Sequence, residues 1–209
     1  MNLLGFDFSI VKPAACIADE EFENVTFKIW PRDLSEKVKE IFRNSGVIVY
    51  DRTDEANPHS ISSDKTRFEV ENSIYLADLI IRSFGITKET LLGFEGFSFN
   101  SGGNSGLQLS GYKYILMDRW KDKVLFSNMY TYAPQTIKKT AGCSKKDSQT
   151  KGDMIQAFIN TGIDIPLRNN LEANPLDFKK KGGKTWIDHL DDIVDAFWVV
   201  QTLKDKELS

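Results

Sequence analysis

Asn2-Leu3-Leu4-Gly5-Phe6-Asp7-Phe8 reads as a buried β-strand that runs into an acid. Outward from it, Ala14–Ala18 follows Pro13 as a hairpin partner, and Val25–Trp30 and Val47–Tyr50 are further strands. Leu91-Leu-Gly-Phe-Glu-Gly-Phe-Ser-Phe99 is a later strand interrupted by one acid, Glu95, and Val124–Tyr132 is another, closed by Pro134. The polar, turn-rich run Asp51–Asp64 reads as a loop. Apolar spacing predicts an amphipathic helix over Thr66–Phe84, stopped by Gly85. Helices are also expected over Leu107–Trp120, Lys151–Asn160 and Asp188–Leu203, the last two separated by a Pro/Asn/Gly/Lys-rich connection. Strands first, then strands alternating with helices, predict an α/β fold, and the length suits one domain over residues 1–209.

The composition is that of an ordinary soluble globular protein, with 41% hydrophobic and 27% charged residues among 209. No apolar run is long enough for a transmembrane helix, and the N-terminus lacks the basic region and cleavage pattern of a signal peptide. Cys16 and Cys143 make neither a disulfide framework nor a zinc site, so a reducing, cytoplasmic setting is expected. A net charge of -3 argues at first against a nucleic-acid partner. Its distribution argues otherwise. Residues 1–100 carry 11 Lys or Arg against 17 Asp or Glu, whereas residues 101–209 carry 16 against 13. Five lysines lie between Lys138 and Lys151, and Lys179, Lys180, Lys181 and Lys184 surround the Gly182-Gly183 turn. Such runs are often only solvated faces.

Three acidic features resist that bland explanation. Asp7 closes one apolar strand, Glu95 sits inside another, and burying either carboxylate unpaired costs on the order of several kcal/mol. The third is Trp186-Ile-Asp-His-Leu-Asp-Asp-Ile-Val-Asp-Ala-Phe-Trp-Val-Val200. On a helix, Asp188, Asp192 and Asp195 fall at i, i+4 and i+7 on one face, where like charges repel. Each acid alone could be a solvated strand end or a helix N-terminal charge. Together they predict an oxygen-rich pocket for hard divalent cations such as Mg²⁺, with Mn²⁺ as substitute. Two such ions about 4 Å apart can activate water and stabilise the leaving oxygen of a phosphodiester, with lysines drawing in the anionic substrate.

The order of these residues resembles the ribonuclease H-like nucleases, and within them the RuvC family of Holliday junction resolvases. Phe6-Asp7-Phe8-Ser9 is similar to the first acid motif and Phe94-Glu95-Gly96-Phe97-Ser98-Phe99 to the glutamate motif. Asn104–Leu109 is similar to the loop and helix start that follow it. Tyr132-Ala-Pro-Gln-Thr-Ile-Lys-Lys139, then Gly142 and Lys151, is similar to the paired-lysine segment, and Asp192-Ile-Val-Asp-Ala196 to the final acid pair. None of these motifs is specific alone; their order is. The resemblance covers a little under half the chain. Ser9–Pro13 replaces the usual glycine-rich turn, and residues 20–65 and 163–187 match nothing in the family. The extra length is similar to that of phage members, which implies a bacterial or phage-infected host cell.

The resemblance implies a mixed β-sheet flanked by α-helices, a homodimer, and paired metal-dependent nicks across a four-way DNA junction. It implies Asp7, Glu95, Asp192 and Asp195 as ligands of two Mg²⁺ ions, with Lys138 and Lys151 steadying the scissile phosphate. Phe97 and Phe99 are candidates for stacking at the opened junction centre, and Lys139, Lys145 and Lys146 for DNA contact. Asp188 and Asp191 compete with Asp192 for the ligand role. His189 fits a capping or supporting residue better than a ligand, and His59 lies in a polar loop away from any motif. Ser101–Gly106 lacks the Gly-Lys-Ser/Thr of a P-loop. Competing functions are a nuclease for flaps or RNA–DNA hybrids, a non-catalytic binder of branched DNA, and a structural α/β domain with fortuitous acids.

Overall fold

The computed structural model describes residues 1–8, 12–52, 65–96, 104–143 and 150–208. Six strands form one mixed sheet: β1 (Asn2–Asp7), β2 (Ala14–Asp19), β3 (Val25–Ile29), β4 (Val47–Val49), β5 (Leu91–Glu95) and β6 (Met129–Tyr132). Their spatial order is β4-β3-β2-β1-β5-β6. β1, β2 and β3 run antiparallel in succession, while β5 lies parallel to β1, β6 parallel to β5, and β4 parallel to β3. This mixed sheet, flanked by helices on both faces, is the α/β architecture that the motif order implies. Among the described residues there are seven α-helices: α1 (Glu36–Asn44), α2 (Lys65–Arg82), α3 (Asn104–Trp120), α4 (Pro134–Thr140), α5 (Lys151–Asn160), α6 (Pro166–Ala173) and α7 (Leu190–Glu207).

Side chains of a strand alternate between its two faces, and here each face has its own core. Leu4 and Phe6 of β1, Leu92 and Phe94 of β5, and Trp30 pack against Leu76, Ile80 and Phe84 from α2 and its end and Trp120 of α3. Stacked and edge-on rings, among them Phe6–Phe94 at 5.6 Å and Phe6–Trp120 at 5.0 Å, fill that layer. The opposite parity, Leu3, Cys16, Phe27 and Leu91, packs against α5, α6 and α7. Gly5 and Gly93 are paired across β1 and β5 and face α7. A Cβ at Gly5 would lie 2.5 Å from the Ala196 carbonyl oxygen and 2.8 Å from the Val200 nitrogen, and one at Gly93 would lie 2.8 Å from Val199 Cγ1. These two glycines let the helix settle onto the sheet.

Several segments differ from their sequence reading. The strand expected over Leu91–Phe99 ends at Glu95, so this acid terminates a strand instead of interrupting one. The strand expected from Val124 begins only at Met129, after a 3-10 turn over Phe126–Asn128. The helix expected from Asp188 begins at Leu190, because His189 has left-handed backbone geometry, φ 70°. Helices α1, α4 and α6 were not anticipated. α4 and α6 each carry proline at their first turn, where its fixed φ suits a helix start and its missing N–H costs nothing.

Candidate metal centre and its lysines

Strand parity brings the acids together. Asp7 follows Leu3 and Gly5 on the α7 side of β1, and Glu95 follows Leu91 and Gly93 on the same side of β5. Because β1 and β5 are parallel neighbours, both carboxylates emerge at the same end of the strands. α7 lies across them, one turn after its start, and adds Asp195. One carboxylate oxygen from each of Asp7, Glu95 and Asp195 falls within 4.8 Å of the others. Asp192, one turn earlier, is 9% exposed, and its charge acts on Asp7. The helix N-terminus favours acids in its first turn, which suits Asp191 and Asp192.

The electrostatics of this group are costly without a cation. Burial, then the charges of Glu95, Asp192 and Asp195, push the Asp7 carboxyl well above the usual range. Burial also raises Glu95, against the pull of Lys138 and Lys151. Asp192 is pushed up to about 6 by burial and by Asp191. Asp195 is pushed up to about 8 by burial and by Glu95. Oδ2 of Asp192 is buried without a hydrogen-bond partner. An all-oxygen donor set with an orphaned buried oxygen fits a hard divalent cation.

The two lysines of the expected site flank the acids. Lys138 lies on α4, where its charge acts on Glu95. Lys151 opens α5 because Thr150 and Asp153 form a capping box around it: Thr150 Oγ1 accepts from the Asp153 N–H and Asp153 Oδ2 accepts from the Thr150 N–H at 2.9 Å. A cation is disfavoured at a helix N-terminus. Burial would lower the Lys151 ammonium further, but its hydrogen bond to Asp191 and the charges of Asp191, Asp192 and Asp195 raise it on balance.

The remaining candidates fall elsewhere. Asp188 is not gathered with the acids: the helical face that would have carried it there does not extend before Leu190. Its Oδ1 instead accepts from Lys180 at 2.9 Å and from Lys12 at 3.5 Å. Asp191 is engaged by Lys151. His189 is buried, held neutral as burial and then Lys12 lower it to about 4, and its Nδ1 stands 3.9 Å from Asp192 Oδ2. Lys139 is exposed on α4. Phe97, Phe99, Lys145, Lys146 and His59 lie outside the described residues. Sequence reading missed Lys12 and Trp186. A lone lysine and a lone tryptophan outside every motif carry no signal of the cleft they line.

No protein-family model and no curated protein matches the chain. Among solved structures it is similar to Thermus thermophilus RuvC, at 12% identity over 97% of this chain and 92% of that one, TM-score 0.46. It is also similar to T. thermophilus RuvC in complex with a Holliday junction substrate, at 10% identity over 97% and 91%, TM-score 0.48. A third is the Fowlpox virus resolvase in complex with substrate Holliday junction DNA, at 15% identity over 100% of both chains, TM-score 0.47.

Proposed function

We propose that this protein is a metal-dependent, structure-selective DNA endonuclease that resolves four-way junctions by paired phosphodiester nicks. The observation that carries the reading is the convergence of Asp7, Glu95 and Asp195 within 4.8 Å at the C-terminal ends of β1 and β5, flanked by two lysines. The motif order supports the junction as substrate, since acids and lysines follow one another as they do in RuvC-like resolvases.

Asp7, Glu95, Asp192 and Asp195 would hold the cations, with Mg²⁺ as the natural ion, Mn²⁺ as substitute, and two ions per site. When bound, such ions lower the pKa of water and offset charge on the leaving oxygen. The chain's own groups do the rest. Lys151 is held toward the acids by Asp191, so its ammonium is in place to pair with a non-bridging phosphate oxygen. Lys138 approaches from the Glu95 side and steadies the same phosphate group. His189, neutral and buried behind Asp192, limits that carboxylate's freedom to turn away. Two copies of the chain, each with one such group, would deliver the two opposed nicks.

The test is a cleavage assay with labelled four-way junctions, flaps, duplex and RNA–DNA hybrid, in Mg²⁺ or chelator, with Asp7→Asn and Glu95→Gln alongside. Symmetric, metal-dependent cuts on the junction are expected, and both variants should bind the junction while losing at least about a hundredfold in cutting. Cleavage that survives either substitution would sink the site. Equal cutting of hybrid and junction would make the protein a ribonuclease H-type enzyme, and binding without any cutting a junction binder.

A further inference from the structure

Beside the acid group lies a cleft of about 480 Å³ whose walls include Lys12, Lys151, Lys180, Lys184, Trp186 and Asp188. One wall is a short hairpin. Ile187 N–H donates to Phe178 O at 2.9 Å and Lys180 N–H to Thr185 O at 2.8 Å, and Gly182 and Gly183 close the turn with φ of 102° and 72°. Lys179 Nζ sits 3.1 Å from the centre of the Trp186 ring and braces the hairpin at its base. Lys180 and Lys184 are thereby presented from a fixed backbone.

Charge and position identify the occupant. Four lysines face the cleft against two carboxylates, Asp188 and Asp191, so the surplus is positive. Lys151 and Asp191 line this cleft, and the charges of Asp192 and Asp195 act on Lys151, so the cleft adjoins the acids. A polyanion whose scissile phosphate lies at the acids has this positive cleft beside it. Oδ1 of Asp188 holds both Lys180 and Lys12.

We propose that this cleft is a phosphate subsite for the nucleic-acid strand leaving the acid group, with Asp188 as the exchangeable counter-ion that gathers Lys12 and Lys180 until a phosphate takes its place. The proposal deepens the nuclease reading and rests on it. It makes Asp188 a counter-ion that phosphate displaces, in place of a metal ligand. It also assigns the 178–187 hairpin to substrate retention.

Fluorescence anisotropy of a labelled four-way junction, in chelator and across a range of salt, tests it. Removing two phosphate contacts should lower the slope of log affinity against log salt by about 1.4–1.8. That drop is expected for Lys180→Ala/Lys184→Ala, with roughly tenfold weaker binding at low salt, while Lys180→Arg/Lys184→Arg keeps the slope. Asp188→Asn should bind several-fold more tightly, having lost a negative charge from a phosphate site. An unchanged slope in the alanine pair, or weaker binding by Asp188→Asn, would overturn the subsite. A wild-type protein that binds with this lysine dependence yet cuts nothing would keep the subsite and remove the nuclease. Metal-dependent cutting with an unchanged slope in the alanine pair would do the reverse.

Discussion

At the scale of single residues, the acids couple protonation to stability. Asp195 titrates near 8 and Asp192 near 6, both above an unfolded carboxyl near 4. A raised carboxyl binds its proton more tightly in the folded state, so the stability it contributes is full below about pH 4 and lost as the pH rises through the folded value. Metal-free protein should therefore melt at progressively lower temperature from about pH 5 to pH 8, and Asp195→Asn should flatten the upper part of that slope. Mg²⁺ should raise the melting temperature most at pH 8, where the carboxylates it would bind are charged. Calorimetry across pH, with metal and with chelator, checks the sign; a melting temperature that climbs with pH in chelator contradicts it. Asp7, Glu95, Asp192 and Asp195 were legible in the sequence because a charge in or beside an apolar run stands out. Asp188, which the helical face also admitted, lies off that face for a local reason. Helical spacing assumes helical backbone, and the left-handed turn at His189 breaks it.

At the scale of elements, the contact of α7 with the sheet sets the position of the acids. A methyl added at Gly5 meets Val200 Cγ2 at 2.7 Å and also main-chain atoms, the Ala196 carbonyl and the Val200 nitrogen, which cannot rotate aside. At Gly93 the nearest atom is a side-chain methyl of Val199, which can be trimmed. Gly5→Ala should cost at least roughly 1–3 kcal/mol and several degrees of melting temperature, with only a minor recovery in Gly5→Ala/Val200→Ala. Gly93→Ala should recover most of its loss in Gly93→Ala/Val199→Ala. Thermal melts of the four variants separate the two cases, and equal rescue at both positions would refute the main-chain contact. Elements with clear patterning, such as β1 and α5, were readable from the chain. The short helices were not. α1, α4 and α6 have seven to nine residues each and take their stability from tertiary burial of Phe42, Ile137, Leu167 and Leu171, which no local pattern announces.

At the scale of the whole molecule, the proposed pair of opposed nicks would require two acid groups, and so two copies of the chain. Mixing wild-type protein with an excess of Asp7→Asn protein should convert resolved junctions into singly nicked ones, as read on a denaturing gel against a native one. Unchanged paired cutting in the mixture would mean that one copy makes both nicks. The net charge of -3 is uninformative at this scale, because buried acids and exposed lysines occupy different places. The two-layered sheet has a further consequence, for how such a protein can diverge. Asp7 and Glu95 reach the same pocket only because each stands an even number of residues from its seat glycine, Gly5 or Gly93. Losing or gaining one residue between glycine and acid would turn the carboxylate into the aromatic layer beneath. Connections between strands can therefore lengthen or shrink without moving the pocket, whereas a change in the Gly-x-Asp or Gly-x-Glu interval would dismantle it.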